Sequence, residues 1–345
     1  MRAAILVEQG RDLVLDEVEL PERLAAGQVL VRIHTSGICG SQLGEIDGVK
    51  GSDRWLPHLL GHEGVGTVTA IGDGVRHVRE GQRVVLHWRP GAGIEAATPS
   101  YRWRGGKLNA GRVTTFNEYA VVSENRATPI PDDLDPAVGF LLGCAATTGF
   151  GVVTNDARVR PGESVVVLGC GGVGLAVVQA AALVSAHPIV AVDRTADKLA
   201  LAARCGASRV VDARDGDLER AVGEILGRGA DVVVESTGVP SLIRTACEIA
   251  SPEGRVVLVG VPPHDARTEI DTLPLHFGLS LVGSHGGGSR PERDIPLCIG
   301  LYRSGKLALD ALVTDHAPLG GINRAIERIR AGEVVGRCVI DIDRG

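Results

Sequence analysis

The chain has 345 residues, too many for one comfortable hydrophobic core, so two domains are the first expectation. Its 44% apolar and 23% charged residues are ordinary for a globular protein, and a net charge of -6 leaves no basic surface for nucleic acid. The opening MRAAILVEQG lacks the features of a secretory signal, no stretch nears the ~20 apolar residues that span a bilayer, and seven scattered cysteines make no disulfide framework, so a cytoplasmic protein without a membrane partner is expected.

Up to about residue 125 the chain carries short alternating or apolar runs, QVLVRIH, GVGTVTAIG, GQRVVLH and FNEYAVV, punctuated by turn residues, which predict strands. Asp135 and Pro136 open a helix at about residue 136, and strand and helix then alternate. SVVVLG, PIVAVD, SRVVDA, DVVVES, RVVLVG and LSLVGS are β-branched and nearly unbroken, as strands buried on both faces of a parallel sheet must be. Helical patterns such as VGLAVVQAAALV and TADKLALAARCGA fall between them, so a doubly wound domain is expected. SHGGGS at 284–289 reads as a hinge. Beyond it RPERDIPLCIGLYRSGK and LGGINRAIERIRAGE predict amphipathic helices, GRCVIDI predicts a last strand, and this tail is assigned to the first domain. The expected division is 1–145 with 285–345, and 146–284.

Gly169, Gly171 and Gly174 form G-x-G-x-x-G, enclosing Gly172 and Val173, directly after a strand and before a helix. Glycine there lets a pyrophosphate reach the free amides of the helix N-terminus. Asp193 closes the next strand about 20 residues on and can accept from an adenosine ribose, while its charge repels a 2′-phosphate. NAD is therefore favoured over NADP, although Arg194 beside it could hold a phosphate; Lys198 is a further candidate contact. A glycine turn without a ligand is the plain alternative.

Cys39 in TSGICGSQLG, His62 in LLGHEGVG and Cys144 in LLGCAATTGFG each have an ordinary structural reading alone. Taken in order with the glycine loop, these motifs resemble the zinc-dependent alcohol dehydrogenases of the medium-chain dehydrogenase/reductase superfamily, over essentially the whole chain. The resemblance implies a mainly β GroES-like catalytic domain beside a Rossmann doubly wound parallel sheet, an α/β chain overall. It also implies a catalytic zinc on Cys39, His62 and Cys144. Two thiolates and a neutral imidazole balance the ion and leave one tetrahedral position open. By the same resemblance Ser41 relays the alcohol proton, Glu63 sits behind the metal, Thr148 lies near the nicotinamide and Arg337 near the pyrophosphate.

Three departures from the family pattern stand out. Residues 88–115 hold no cysteine, so no structural zinc is expected and one zinc per subunit follows. Gln42 replaces an aspartate that would support the histidine ligand, and Gly44 replaces a relay histidine of some members. Trp55, Trp88 and Trp103 all fall in the first domain, with Trp88 placed to line a substrate cleft. Together with the neighbouring arginines they suit a polyol, cyclitol or sugar derivative, or else they only fill a core. The expected activity is NAD(H)-linked oxidation of a secondary alcohol to a ketone, or the reverse. The alternatives are a zinc-free NADPH-dependent enone or quinone reductase, which has no use for the metal triad, and a non-catalytic dinucleotide-binding protein on the same scaffold. LSLVGS as an edge strand points to a homodimer or homotetramer.

Overall fold

The computed structural model describes residues 1–214 and 216–343. It divides into two units, the first made of 1–144, 290–300 and 313–345 and the second of 145–289 and 301–312.

The first unit opens with β1 (Arg2–Leu6), β2 (Val14–Glu17), β3 (Gln28–Gly37), α1 (Gly40–Ile46), β4 (His58–Leu59), β5 (Glu63–Ile71) and β6 (Arg83–His87). The hairpin of β7 (Tyr101–Trp103) and β8 (Gly106–Leu108) follows, then β9 (Tyr119–Ser123), β10 (Ala127–Pro129) and α2 (Pro136–Gly139). Asp135 caps α2 by accepting from the Ala137 amide, with Pro136 at the first helical position. The second unit holds α3 (Ala145–Gly151), β11 (Val165–Leu168), α4 (Gly172–Leu183), β12 (Ile189–Asp193), α5 (Ala196–Arg204), β13 (Arg209–Asp212), α6 (Leu218–Leu226), β14 (Ala230–Glu235), α7 (Pro240–Ile249), β15 (Ala250–Leu258) and β16 (Ser280–Gly283). The chain ends through α8 (Pro291–Arg303), β17 (Val313–Pro318), α9 (Ile322–Arg330) and β18 (Arg337–Asp341).

In the first unit β3 is the hub of a mostly antiparallel sheet ordered β10-β6-β5-β3-β18-β17, and it also pairs with β9. Val29, Val31 and Ile33 alternate along it into a fully buried core with Phe116, Val122 and Ile340. The second unit has six parallel strands ordered β13-β12-β11-β14-β15-β16, the Rossmann order. Val165 to Leu168 on central β11 are wholly buried, as a strand covered by helices on both faces requires. The strand order reverses between β11 and β14, so the glycine loop leaves β11 where such sheets bind ligands.

Two details differ from the sequence reading. Residues 301–312, expected with the first domain, fall in the second unit, where Gln179 brackets Ala308 with two 2.9 Å hydrogen bonds. In the SHGGGS segment, read as a hinge, Gly286 and Gly287 are buried, and the Gly287 carbonyl accepts from Asn155 at 2.8 Å. Strand β17 was not anticipated, because VTDHAP carries an acid, a histidine and a proline in place of an apolar run. Among the described residues, no single helix is long and apolar enough to cross a membrane.

Candidate active site

Cys39 stands just before α1, at the end of the extended run of β3, in β-region backbone. The Gln42 side-chain oxygen accepts from the Cys39 amide at 3.3 Å, so that is what this buried amide does here. His62 enters from the turn before β5. Gly61 permits that turn: its φ is +95°, and a β-carbon there would stand 2.4 Å from Thr115 Oγ1 and 2.6 Å from the Thr115 amide. Cys144 follows a 3-10 turn over Phe140–Gly143 and is buried. The three side chains, over 100 residues apart at the extremes, bring their ligand atoms within 4.8 Å of one another.

The donor set fits one zinc ion. Tetrahedral bonds of about 2.3 Å to sulfur and 2.0–2.1 Å to nitrogen need ligand atoms within about 4 Å of each other, inside that limit. His62 Nε2 is buried with no hydrogen-bond partner, a costly state for a polar atom that a metal would relieve. A hydrogen bond with Cys144 holds the Cys39 thiol well below its usual range, with the charge of His62 adding to this against the effect of burial. That same hydrogen bond pushes Cys144 well above the usual range, and burial adds to it. One sulfur is thus ionised ahead of the other.

Ser41 places its hydroxyl 3.6 Å from Cys39 Sγ, to which it donates. Glu63 is wholly buried and ion-paired with Arg337. Arg337 was expected near a pyrophosphate. It is 5% exposed at the start of β18, where Nη2 donates to Glu63 and, at 3.2 Å, to the Ile38 carbonyl, with the Phe140 ring 5.5 Å from the guanidinium. β18 pairs with β3, which runs into Cys39, and that pairing carries Arg337 beneath the ligand set. Burial lowers its proton affinity, but the charges of Glu63, Cys39 and Cys144 outweigh this and raise it. Burial raises the Glu63 carboxyl, and Arg337 only partly offsets the rise. Sequence reasoning missed this pair because its members lie 274 positions apart and neither sits in a motif that names the other. Trp88 is half-buried just past β6, with the Arg89 guanidinium 5.7 Å from its ring.

In the second unit Gly169 donates to the Val192 carbonyl at 2.8 Å, and Gly171 precedes α4. A β-carbon on Gly174 would lie 1.9 Å from the Gly169 carbonyl, so only glycine lets helix and loop close, whereas one on Gly171 meets open space. Gly172 and Val173 form the first turn of α4. Asp193 Oδ2 accepts from the Cys170 amide at 2.8 Å and Oδ1 from Thr195 at 3.0 Å, so the carboxylate braces the loop. Arg194 is exposed, Lys198 half-buried on α5 and Thr148 buried in α3. The cradle over Gly171 and the bare start of α4 fit a dinucleotide diphosphate.

Two family models match the chain: an alcohol dehydrogenase GroES-like domain over 25–132 and a zinc-binding dehydrogenase over 172–300. Alcohol dehydrogenase 6 of Peromyscus maniculatus is 30% identical, the alignment covering 98% of this chain and 97% of that protein. The chain belongs to the zinc-type alcohol dehydrogenases of the medium-chain dehydrogenase/reductase superfamily. Among its relatives are a geraniol dehydrogenase of Castellaniella defragrans, 32% identical with 97% and 96% covered, and the crystal structure of benzyl alcohol dehydrogenase from Acinetobacter calcoaceticus. The latter superposes with a TM-score of 0.90 at 28% identity, 99% of both chains covered. An alcohol dehydrogenase with a GroES-like unit and a Rossmann unit is what sequence, fold and relatives jointly describe.

Proposed function

We propose that the chain is an NAD-linked dehydrogenase carrying one catalytic zinc, which oxidises a secondary hydroxyl of a polyol, cyclitol or sugar derivative to a ketone, or runs in reverse. The observation that carries the metal is the meeting of Cys39, His62 and Cys144 around a buried imidazole nitrogen without a partner. When bound, zinc supplies Lewis acidity that brings the ionisation of a coordinated hydroxyl toward neutral pH, and the nicotinamide supplies the hydride acceptor.

The remaining steps belong to the chain. Ser41, able to donate and accept, takes the substrate proton as it passes its own on through the cofactor ribose toward water, after turning from Cys39 Sγ. Arg337 and Glu63 set a neutral pair beneath two thiolates, limiting the negative charge that the buried site must bear. Gly169 to Gly174 receive the diphosphate, Asp193 the adenosine ribose, and Arg194 and Lys198 line its outer side. No second zinc is assigned to 88–115, which has no thiol to offer.

For the polyol reading the support is the pairing of each indole with a guanidinium, Arg54 with Trp55 at 4.9 Å, Arg89 with Trp88 at 5.7 Å and Arg104 with Trp103 at 4.6 Å. Rings offer apolar faces to a sugar, and guanidinium groups bind hydroxyls or phosphate. A second reading rests on the relatives named for geraniol and benzyl alcohol, and takes an unsaturated or aromatic primary alcohol. All seven cysteines are free thiols, in keeping with a reducing cytoplasm.

The test is zinc analysis of purified enzyme together with NAD reduction across a panel of polyols, cyclitols, sugars, and allylic and benzylic alcohols. One zinc per chain, lost in Cys39→Ser and His62→Asn, with turnover of polyols is expected. Active enzyme without metal would overturn the zinc assignment, and preference for allylic or benzylic alcohols would overturn the polyol assignment.

A further inference from the structure

Glu45, Asp53 and His58 make a second group of ligating side chains in the first unit, sharing no residue with the thiolate site. Their ligand atoms lie within 4.8 Å of one another. Glu45 is on the last turn of α1, Asp53 on the connection that follows, and His58 opens β4.

The hydrogen bonding of His58 is the telling feature. Its Nδ1 lies 2.9 Å from the Leu59 carbonyl, and its Nε2 lies 2.7 Å from Asp53 Oδ2 and 3.9 Å from Glu45 Oε1. A carbonyl only accepts, so Nδ1 carries a proton. Nε2 then points at two carboxylates, and either a second ring proton or a bound cation must stand between them. Orientation through Nδ1–H to a backbone carbonyl is how metal-bound imidazoles are commonly held. Among the described residues, no lysine or arginine pairs with Glu45 or Asp53, so no side-chain cation other than the ring itself answers their charge.

The group is also held in place before any ion arrives. The Asp53 amide donates to Gln9 Oε1 at 3.1 Å, and Asp53 Oδ1 accepts from the Trp55 amide at 2.7 Å, which leaves Oδ2 for His58. Gln9 Nε2 in turn holds the Glu45 and Gly51 carbonyls at 3.3 and 3.1 Å. The His58 and Asp53 side chains are 7% and 11% exposed and Glu45 is 38% exposed, so the cluster is closed on one side and open to water on the other.

We propose that Glu45, Asp53 and His58 bind one divalent cation of the first transition row. Two carboxylates and a neutral imidazole balance a 2+ charge, water completes the shell, and the nitrogen and oxygen donors suit Mn2+ or Zn2+ more than the soft metals that thiolates select. The ion clamps residues 47–57 to α1, which begins beside Cys39, and to β4, which leads into His62.

The probe is Mn2+, added to enzyme already holding zinc on its thiolates and followed by the loss of the free-ion electron resonance signal. One saturable Mn2+ per chain is expected, with selective broadening of the His58 ring resonances. Glu45→Gln and Asp53→Asn should each raise the apparent Kd at least tenfold, whereas Cys39→Ser should leave Mn2+ binding intact. Glu45 is on the exposed side of the cluster, so Glu45→Gln remains informative if Asp53→Asn folds poorly. Absence of saturable binding, an unchanged Kd in Glu45→Gln, or Mn2+ binding that leaves the His58 resonances sharp overturns the site. In that outcome His58 holds its two acceptors as an imidazolium, and the fate of the catalytic zinc is untouched.

Discussion

The Ser41 hydroxyl faces Cys39 Sγ at 3.6 Å, a tie too weak to be needed for the fold, and the proposed function makes it the proton relay. Ser41→Ala is therefore expected to lower kcat by about 10²- to 10⁴-fold with zinc content and thermal midpoint unchanged, and Ser41→Thr to restore most of the rate. Asp193 braces the Cys170 and Thr195 amides, and under the proposed function its charge also opposes a 2′-phosphate. Asp193→Ser should cut kcat/KM for NAD by about tenfold and raise it for NADP, because exposed Arg194 then faces a phosphate without a competing carboxylate. His87 is 1% exposed, and burial pushes its imidazole down to about 4 despite a bond to the Arg89 carbonyl. Between pH 4 and its ordinary pKa of about 6.5 the unfolded chain binds a proton there that the folded chain refuses. Stability is thus full above this window and falls as pH drops through it, by up to about 3 kcal/mol. His87→Gln, able to bond both Arg89 and Thr128, should flatten that part of a urea-denaturation profile measured from pH 4 to 7.

At the scale of elements, the segment from 88 to 115 is tied to the strands beside it by side-chain contacts. Glu95 ties it together: its carboxylate accepts from Arg126 Nη2 at 2.9 and 3.1 Å and from Asn125 at 2.8 Å, and it is ion-paired with Arg112. Tyr101 adds a buried hydroxyl that accepts from the Val121 amide at 2.8 Å. Glu95→Ala leaves the Arg126 guanidinium buried without its carboxylate, and a loss of about 1 to 3 kcal/mol, read as a lower thermal midpoint, is expected. The elements that sequence reveals are those whose burial is uniform or periodic. The six β-branched runs became the six parallel strands, wholly buried at the centre on β11 and partly exposed at the edges on β13 and β16, and the glycine loop was readable because Gly174 admits no other residue. Strand β17 was hidden because its alternating exposure mixes acid, imidazole and proline, and its place is fixed by β18, over twenty residues later. The meeting of Cys39, His62 and Cys144 was readable through short motifs; the Arg337–Glu63 pair was not, because its members are brought together only by the β3–β18 pairing.

On the scale of the whole molecule, one side of the second unit's sheet is unfinished. β16 pairs with β15 on one edge only, Val282 on it is 37% exposed, and Phe277, Leu273 and Val261 nearby in sequence are 71%, 61% and 62% exposed. A lone strand edge with apolar side chains around it is a template for another chain, and natural proteins cover such edges or charge them. Here neither lysine nor proline interrupts Ser280–Gly283, and the simplest cover is a second copy whose β16 meets the first across a twofold axis, extending the sheet to twelve strands. Light scattering behind size exclusion should then give a mass of two chains, or four if dimers pair. Phe277→Glu with Val282→Lys should shift it to one chain while leaving zinc content intact, since the proposed ligands Cys39, His62 and Cys144 all lie in the first unit. A monomer in the unmodified protein would mean that the exposed edge serves some other contact, and an oligomer indifferent to both substitutions would move the interface elsewhere.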